Sequence, residues 1–454
     1  MSDLSYEEFN KSNFGRNFHW GVSVAASQIE GAHNTDGKGP SIWDEFASKK
    51  GKILNGDHAC IACDFYNQYK KDIQLIKSLN IPNFRFSISW PRIFPEGIGS
   101  VNQAGIDFYN RVIDYCLASG ITPWITLYHW DLPKALELKG GWTNRDIISW
   151  FSNYVNVCAA SFGDRVKNWM IMNEPMVFTG AGYFLGIHAP GRTGLKNFIP
   201  AIHHVALSMA EGGRMLKELL PSDTTIGSTF SCSHIEPHSK SSRDYNAAVR
   251  VDALLNRLSI EPALGLGYPF KELPFLKRIE KYMHPGDEQK IKFDLDFVGI
   301  QNYTREIIKH SFFTPYLQAK LIKAEKRKVP LTAMGWEVYP PAMYHVLKKI
   351  SSYKAIKRII ITENGAAFPD TVVKNTIDDP LRIDFLKKNL QQVLRAKQEG
   401  CPVEGYFVWT LTDNFEWAEG YKPRFGLIYV DFETQKRTVK NSGLWYSEFL
   451  KEKD

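Results

Sequence analysis

No apolar run in this 454-residue chain approaches the roughly 18 residues that a membrane span needs, so no span is expected. Residues 1–8 hold no basic stretch followed by an apolar one, which argues against a secretory leader and makes the cytoplasm the expected location. Cysteine is sparse, with 6 scattered at 60, 63, 116, 158, 232 and 401. Only Cys60 and Cys63 have suggestive spacing, and no second Cys pair or His pair completes a zinc site. Neither a structural metal nor a disulfide framework is expected, which fits a reducing compartment. An excess of one charge is also missing: 56 Lys+Arg against 49 Asp+Glu leave +7, drawn mainly from the stretch 320–328. Those basic residues are not interleaved with aromatics, so they read as a solvated loop or helix face and no nucleic-acid partner is expected. A Gly-rich phosphate loop is absent too, because residues 31–39 after the first strand do not match one.

What the chain has in quantity is aromatic side chains: 12 Trp, 20 Tyr and 28 Phe. They supply a large core and can also supply stacking platforms for the C–H faces of sugars. Short apolar, β-rich runs alternate with longer amphipathic ones throughout. The spacing predicts strands over 18–26, 83–90, 122–128, 166–172, 225–231, 297–301, 358–362 and 405–411. Helical patterns lie between them, over 66–79, 103–119, 146–162, 198–220, 243–264, 341–352 and 382–397. Alternating β and α units imply a parallel sheet, and eight of them imply closure. The expected fold is therefore α/β, a single (β/α)8 TIM barrel with elaborated βα loops over residues 1–454. Residues 314–336 read as a long barrel insertion rather than a domain boundary.

On such a barrel the active site forms where strands end and βα loops begin. The residues just after the predicted strands include Gln28, Trp90 to Arg92, His129 to Asp131, Asn173 and Glu174, Asn302 and Tyr303, Glu363 and Asn364, and Thr412 to Trp417. Polar, acidic and aromatic side chains gather at seven strand ends, which loops that merely meet water do not explain. Glu174 and Glu363 each follow an apolar strand directly, the fourth and the seventh, and would face each other across the barrel mouth. A lone strand-end Glu is usually an ion-pair partner, but a facing pair is the machinery of glycoside hydrolysis.

The motifs Asn173-Glu174-Pro175 and Thr362-Glu363-Asn364-Gly365 resemble the two signatures of the family-one glycoside hydrolases, the β-glucosidase-like members of the large barrel clan. Further stretches carry the resemblance over nearly the whole chain: 18–31, 85–92, 126–133, 182–191, 409–417 and 424–429. The resemblance implies that Glu174 is the general acid/base and Glu363 the nucleophile. It implies that Gln28, His129, Asn173 and Glu416 bond the hydroxyls of the attacked sugar, with Trp409 beneath it and Trp417 as another hydroxyl partner. Tyr303 and Arg85 resemble the residues that hold the nucleophile charged and oriented; Tyr303 also borders the substrate, and Asn302 supports it. Trp336 and His188 would flank the mouth on the leaving-group side.

The activity this implies is a retaining β-glucosidase without metal or cofactor, acting on small β-glycosides or oligosaccharides, with tolerance for β-galactosides or β-fucosides. Relatives that use 6-phosphorylated sugars typically replace the Glu-Trp pair kept here as Glu416-Trp417, so an unphosphorylated sugar is expected. A sister β-glycosidase such as a β-galactosidase or a 6-phospho-β-glucosidase, and a catalytically silent sugar-binding barrel, remain the alternatives. The silent barrel would normally lack one of the two glutamates. Oligomeric state and natural leaving group are not legible in the sequence.

Overall fold

Parallel strands buried on both faces require nearly continuous apolar runs, and eight such runs form the centre of this molecule. The structure is a computed structural model that describes residues 9–451 apart from 373 and 375; residues 1–8, on which the leader argument rests, lie outside it. The strands are β1 (His19–Ser23), β2 (Asn83–Ser87), β3 (Thr122–Tyr128), β4 (Asn168–Asn173), β5 (Thr225–Ser231), β6 (Phe297–Gln301), β7 (Ile359–Asn364) and β8 (Val403–Trp409). Each pairs in parallel with its sequence neighbours, and β1 pairs with β8, which closes the barrel. All eight predicted runs are barrel strands, with ends displaced by no more than a few residues.

An outer ring of helices covers the strands: α1 (Phe65–Ser78), α2 (Gln103–Ala118), α3 (Ile147–Phe162), α4 (Leu195–Leu219), α5 (Ser242–Asp252), α6 (Pro341–Ser351), α7 (Pro380–Gln398) and α8 (Asn441–Leu450). In α1 the buried side chains Phe65, Tyr69, Ile73 and Ile76 recur at helical spacing and form one face. The helix predicted over 243–264 is divided. After α5, residues Ala253–Arg257 widen into a π turn before Leu258–Ala263 resumes the α-helix. Asn256 in the wide turn exchanges two hydrogen bonds of 2.9 Å with the backbone of Ser233, tying the helix to the chain just beyond β5. Among the described residues no helix is long and apolar enough to cross a membrane.

The barrel interior is filled by Trp124, Met170, Phe297, Ile360 and Phe407, one each from β3, β4, β6, β7 and β8. Large rings need gaps opposite them. Gly21 on β1 provides one, since a Cβ there would lie 2.3 Å from the Phe407 ring; Gly227 on β5 does the same for Phe297 at 2.5 Å. The insertion predicted over 314–336 begins earlier than its sequence suggested. Arg305–His310 runs antiparallel to Ala319–Leu321 and parallel to His234–Pro237, so the loops after β5 and β6 share a small sheet. Charge reinforces it: Arg305 reaches Glu236 at 3.0 Å and Glu337 at 2.9 Å, and Arg327 reaches Glu337 at 2.5 Å.

Candidate active site

The barrel loses its regular register at the carboxyl ends of β4 and β7. Pairing of β4 with β5 slips between Met170 and Asn173, and pairing of β7 with β6 slips between Ile361 and Glu363. Such irregularities re-aim side chains that a regular pleat would alternate in and out. Glu174 adopts φ +46°, a left-handed conformation uncommon for a residue with a side chain, and the short helix Pro175–Thr179 starts immediately after it. Both glutamates are buried at the mouth, with 7% and 3% of their surface exposed, so each carboxyl is largely deprived of water.

Their partners differ. Arg85 Nη1 donates to Glu363 Oε1 at 2.5 Å, and the Tyr303 hydroxyl donates to Oε2 at 2.6 Å. Burial raises the Glu363 carboxyl above the ordinary glutamate range, while Arg85 and Tyr303 pull it back down. Among the described residues no guanidinium pairs with Glu174. Burial first, and then the charge on Glu363, push it up to about 8, with Ser231 and Arg85 opposing weakly. Glu174 therefore favours its protonated form at neutral pH, while the donors Arg85 and Tyr303 favour the carboxylate of Glu363. An acid beside a fixed carboxylate is what proton transfer coupled to nucleophilic attack requires.

Around the pair, one network joins β2, β3, β4, β5 and β6. Arg85 spans it, with Nε on Thr126 Oγ1 at 3.0 Å and Nη2 on Asn173 Oδ1 at 2.6 Å. Asn173 Nδ2 lies 3.0 Å from His129 Nε2. Burial, and secondarily the charge of Arg85, hold His129 well below its usual range, so the ring is neutral and can accept there. Gln28 Nε2 donates to the Phe415 carbonyl at 2.9 Å and reaches Glu416 Oε2 at 3.3 Å. Burial pushes Glu416 up to about 8, with a further contribution from Glu363. Asn302 holds the β6 loop, donating to the carbonyls of Cys232 at 2.8 Å and Thr304 at 3.0 Å.

The predicted aromatics fall into two groups. Trp409 packs with Tyr303, Trp336 and Phe425, and its ring lies 6.0 Å from His129 at an angle of 27°. Trp417 sits 4.5 Å from Trp43 and 4.7 Å from Trp130, and His188 joins these two rings at 5.3 and 5.8 Å. Trp336 and His188 thus border different sides of the site. Thr229, Ser231, Gln301 and Trp43 were not singled out from the sequence; Thr126, Trp130 and Phe425 lie in the strand-end and motif stretches named there, without a role of their own. Thr229, Ser231 and Gln301 close the carboxyl ends of β5 and β6, so inspecting the last residues within each strand, as well as the first beyond it, would have found them.

A closed eight-stranded barrel with two buried carboxyls at its carboxyl-end mouth, one of them clasped by an arginine and a tyrosine, defines a barrel enzyme equipped for acid/base and nucleophilic chemistry. Comparison with known proteins narrows the class. The sequence model of glycosyl hydrolase family 1 matches residues 10–454. The chain is 45% identical to β-glucosidase A of Thermotoga maritima over 97% of its own length and 98% of that protein. It is 42% identical to β-glucosidase A of Acetivibrio thermocellus over 97% and 99%. Its fold superposes on a Thermotoga maritima β-glucosidase in complex with glucoimidazole with a TM-score of 0.92 at 45% identity, covering 96% of this chain and 98% of the other. A deoxynojirimycin complex gives 0.93 at 44% identity, with the same coverage. The chain belongs to glycosyl hydrolase family 1.

Proposed function

We propose that this family 1 hydrolase is a retaining β-glucosidase for unphosphorylated β-D-glucosides, with Glu174 as acid/base and Glu363 as nucleophile. The observation that carries the assignment is the unequal holding of the two carboxyls: Arg85 and Tyr303 clasp Glu363, whereas burial beside the charge of Glu363 pushes Glu174 up to about 8 and favours its protonated form. Glu174 gives its proton to the glycosidic oxygen as Glu363 attacks the anomeric carbon. The carbon–oxygen bond breaks, the alcohol leaves, and a glycosyl ester of Glu363 remains. Glu174, now a carboxylate, takes a proton from water as the water oxygen attacks the same carbon and frees Glu363. Two inversions give net retention. The β-glucosidase names of the relatives, and the glucoimidazole and deoxynojirimycin held by solved structures of 0.92 and 0.93 TM-score, support a glucose-shaped subsite lined by Gln28, His129, Asn173, Glu416, Trp417 and Trp409.

Azide separates the two roles. Glu363→Gly should lose nearly all turnover of nitrophenyl β-glucoside, and azide entering from the vacated face should yield the α-glucosyl azide from an activated substrate. Glu174→Ala should retain its first step best with dinitrophenyl glucoside, which needs no proton, and should give the β-azide. Identical azide anomers from the two variants, assigned by NMR, would refute the assignment.

A further inference from the structure

Asn173 is held by the strands on both sides of the site. Its Oδ1 accepts from three donors: Arg85 Nη2 of β2 at 2.6 Å, Thr229 Oγ1 of β5 at 2.8 Å and Gln301 Nε2 of β6 at 2.7 Å. Asn173 and its three donors are fully buried, so water cannot substitute for a missing donor. The oxygen and nitrogen of an amide point in opposite directions, and three donors on the oxygen therefore fix where Nδ2 points. A flipped amide would set its NH2 against the Arg85 guanidinium, which can only donate, and against the Gln301 NH2 in its present orientation. In the orientation present, one Nδ2 hydrogen faces the neutral His129 ring and the other is left for a sugar hydroxyl.

The three donors are not equivalent. Arg85 is shared with Glu363 through Nη1, and the charge it meets there disappears whenever Glu363 becomes a glycosyl ester. Thr229 and Gln301 are neutral and make no bond to either glutamate, so their grip on Asn173 stays the same in both halves of the reaction. We propose that Gln301 and Thr229 are positioning residues that lock the Asn173 amide for reading the 2-hydroxyl of the attacked sugar. The inference rests on the proposed retaining mechanism, in which that hydroxyl's hydrogen bond strengthens at the transition state.

The test compares kcat/KM for nitrophenyl β-glucoside and its 2-deoxy analogue in wild type, Gln301→Met, Thr229→Val and Thr229→Ser. Gln301→Met and Thr229→Val should each lower the glucoside value about tenfold, mostly in kcat, and the 2-deoxy value by no more than about twofold. Thr229→Ser keeps the hydroxyl and should stay within about twofold of wild type on both substrates. Equal losses on the two substrates, or none on either, would overturn the clamp while leaving the mechanism intact. Wild type that cleaves both substrates equally well would sink the reading of Asn173 and the clamp with it. Should Gln301→Met fail to fold, the Thr229 pair decides alone.

Discussion

Glu416 differs from the other residues proposed to line the sugar subsite in having a charge that neutral pH does not fix. Burial and the nearby Glu363 raise it to about 8, and Gln28 only partly offsets them. At about 8 it favours the protonated form at pH 7, able to donate as well as accept, and it repels an anion weakly. Ionised, it would meet a sugar 6-phosphate with a like charge, which at 4 Å and an effective dielectric of about 20 costs on the order of 4 kcal/mol per pair of unit charges. The preference for glucoside over glucoside 6-phosphate should therefore widen by about tenfold or more between pH 7 and pH 9. Taking the ratio of kcat/KM values cancels the ionisation of Glu174, which both substrates require. Glu416→Ser should flatten the dependence, and a wild-type ratio independent of pH would show that Glu416 does not set it. The proposed catalytic pair and Glu416 were legible as strand-end or motif carboxyls. The resemblance also implied a charged Glu363 and an initially protonated Glu174, whereas the raised carboxyl of Glu416 was not legible, because it depends on burial and on neighbours from other strands. The Arg85 effect on Glu363 was foreseen, but burial outweighs it and leaves the carboxyl above its usual range.

Between elements, the barrel relies on small residues where its interior rings cross. Gly21 of β1 faces the Phe407 ring of β8, and a Cβ at Gly21 would lie 2.3 and 2.4 Å from two ring atoms and 2.9 Å from the Asn83 carbonyl oxygen. Overpacking of this kind typically costs about 1–3 kcal/mol. Gly21→Ala should destabilise by at least that much in chemical denaturation, and adding Phe407→Leu should recover part of the loss. If Gly21→Ala matches wild type, the interior is looser than these contacts require. Strand existence was readable from apolar runs, and most helices from their periodicity. The division of the 243–264 helix was not readable, because it depends on Asn256 reaching Ser233, a partner 23 positions away. The sheet joining the loops after β5 and β6 escaped for a related reason. The strands His234–Pro237 and Ala319–Leu321 are too short to show a period, and Arg305–His310 unites them only in three dimensions.

For the molecule as a whole, the active site is a cost in stability that pH can expose. Burial raises Glu174, Glu416 and Asp131 each to about 8, against roughly 4 in an unfolded chain. Between those values the folded state holds more protons than the unfolded one, so stability must fall as pH rises through that window. Buried His188, lowered to about 4, acts in the opposite sense: its contribution is present above about 6.5 and is lost as pH falls toward 4. Three raised carboxyls outweigh one lowered imidazole, so the melting temperature should fall as pH rises from about 4 to about 8, most steeply above about 6.5, where His188 no longer opposes the fall. Asp131→Asn and Glu416→Gln should each make that decline shallower; an unchanged decline in both would mean that other groups set it.

The sequence alone determined the barrel and the placement of the two glutamates proposed as its catalytic pair, because both are written locally: apolar runs of strand length, and a glutamate at the end of the fourth and seventh of them. Tertiary structure decided how far burial raises the carboxyls, how Asn173 is oriented and which aromatic rings share a side of the mouth. Those outcomes depend on Arg85, Thr229, Gln301 and Tyr303 converging from β2, β5, β6 and the loop that follows β6, and on the exclusion of water once they do. Distances between residues far apart in the chain set them, and no local pattern encodes such distances.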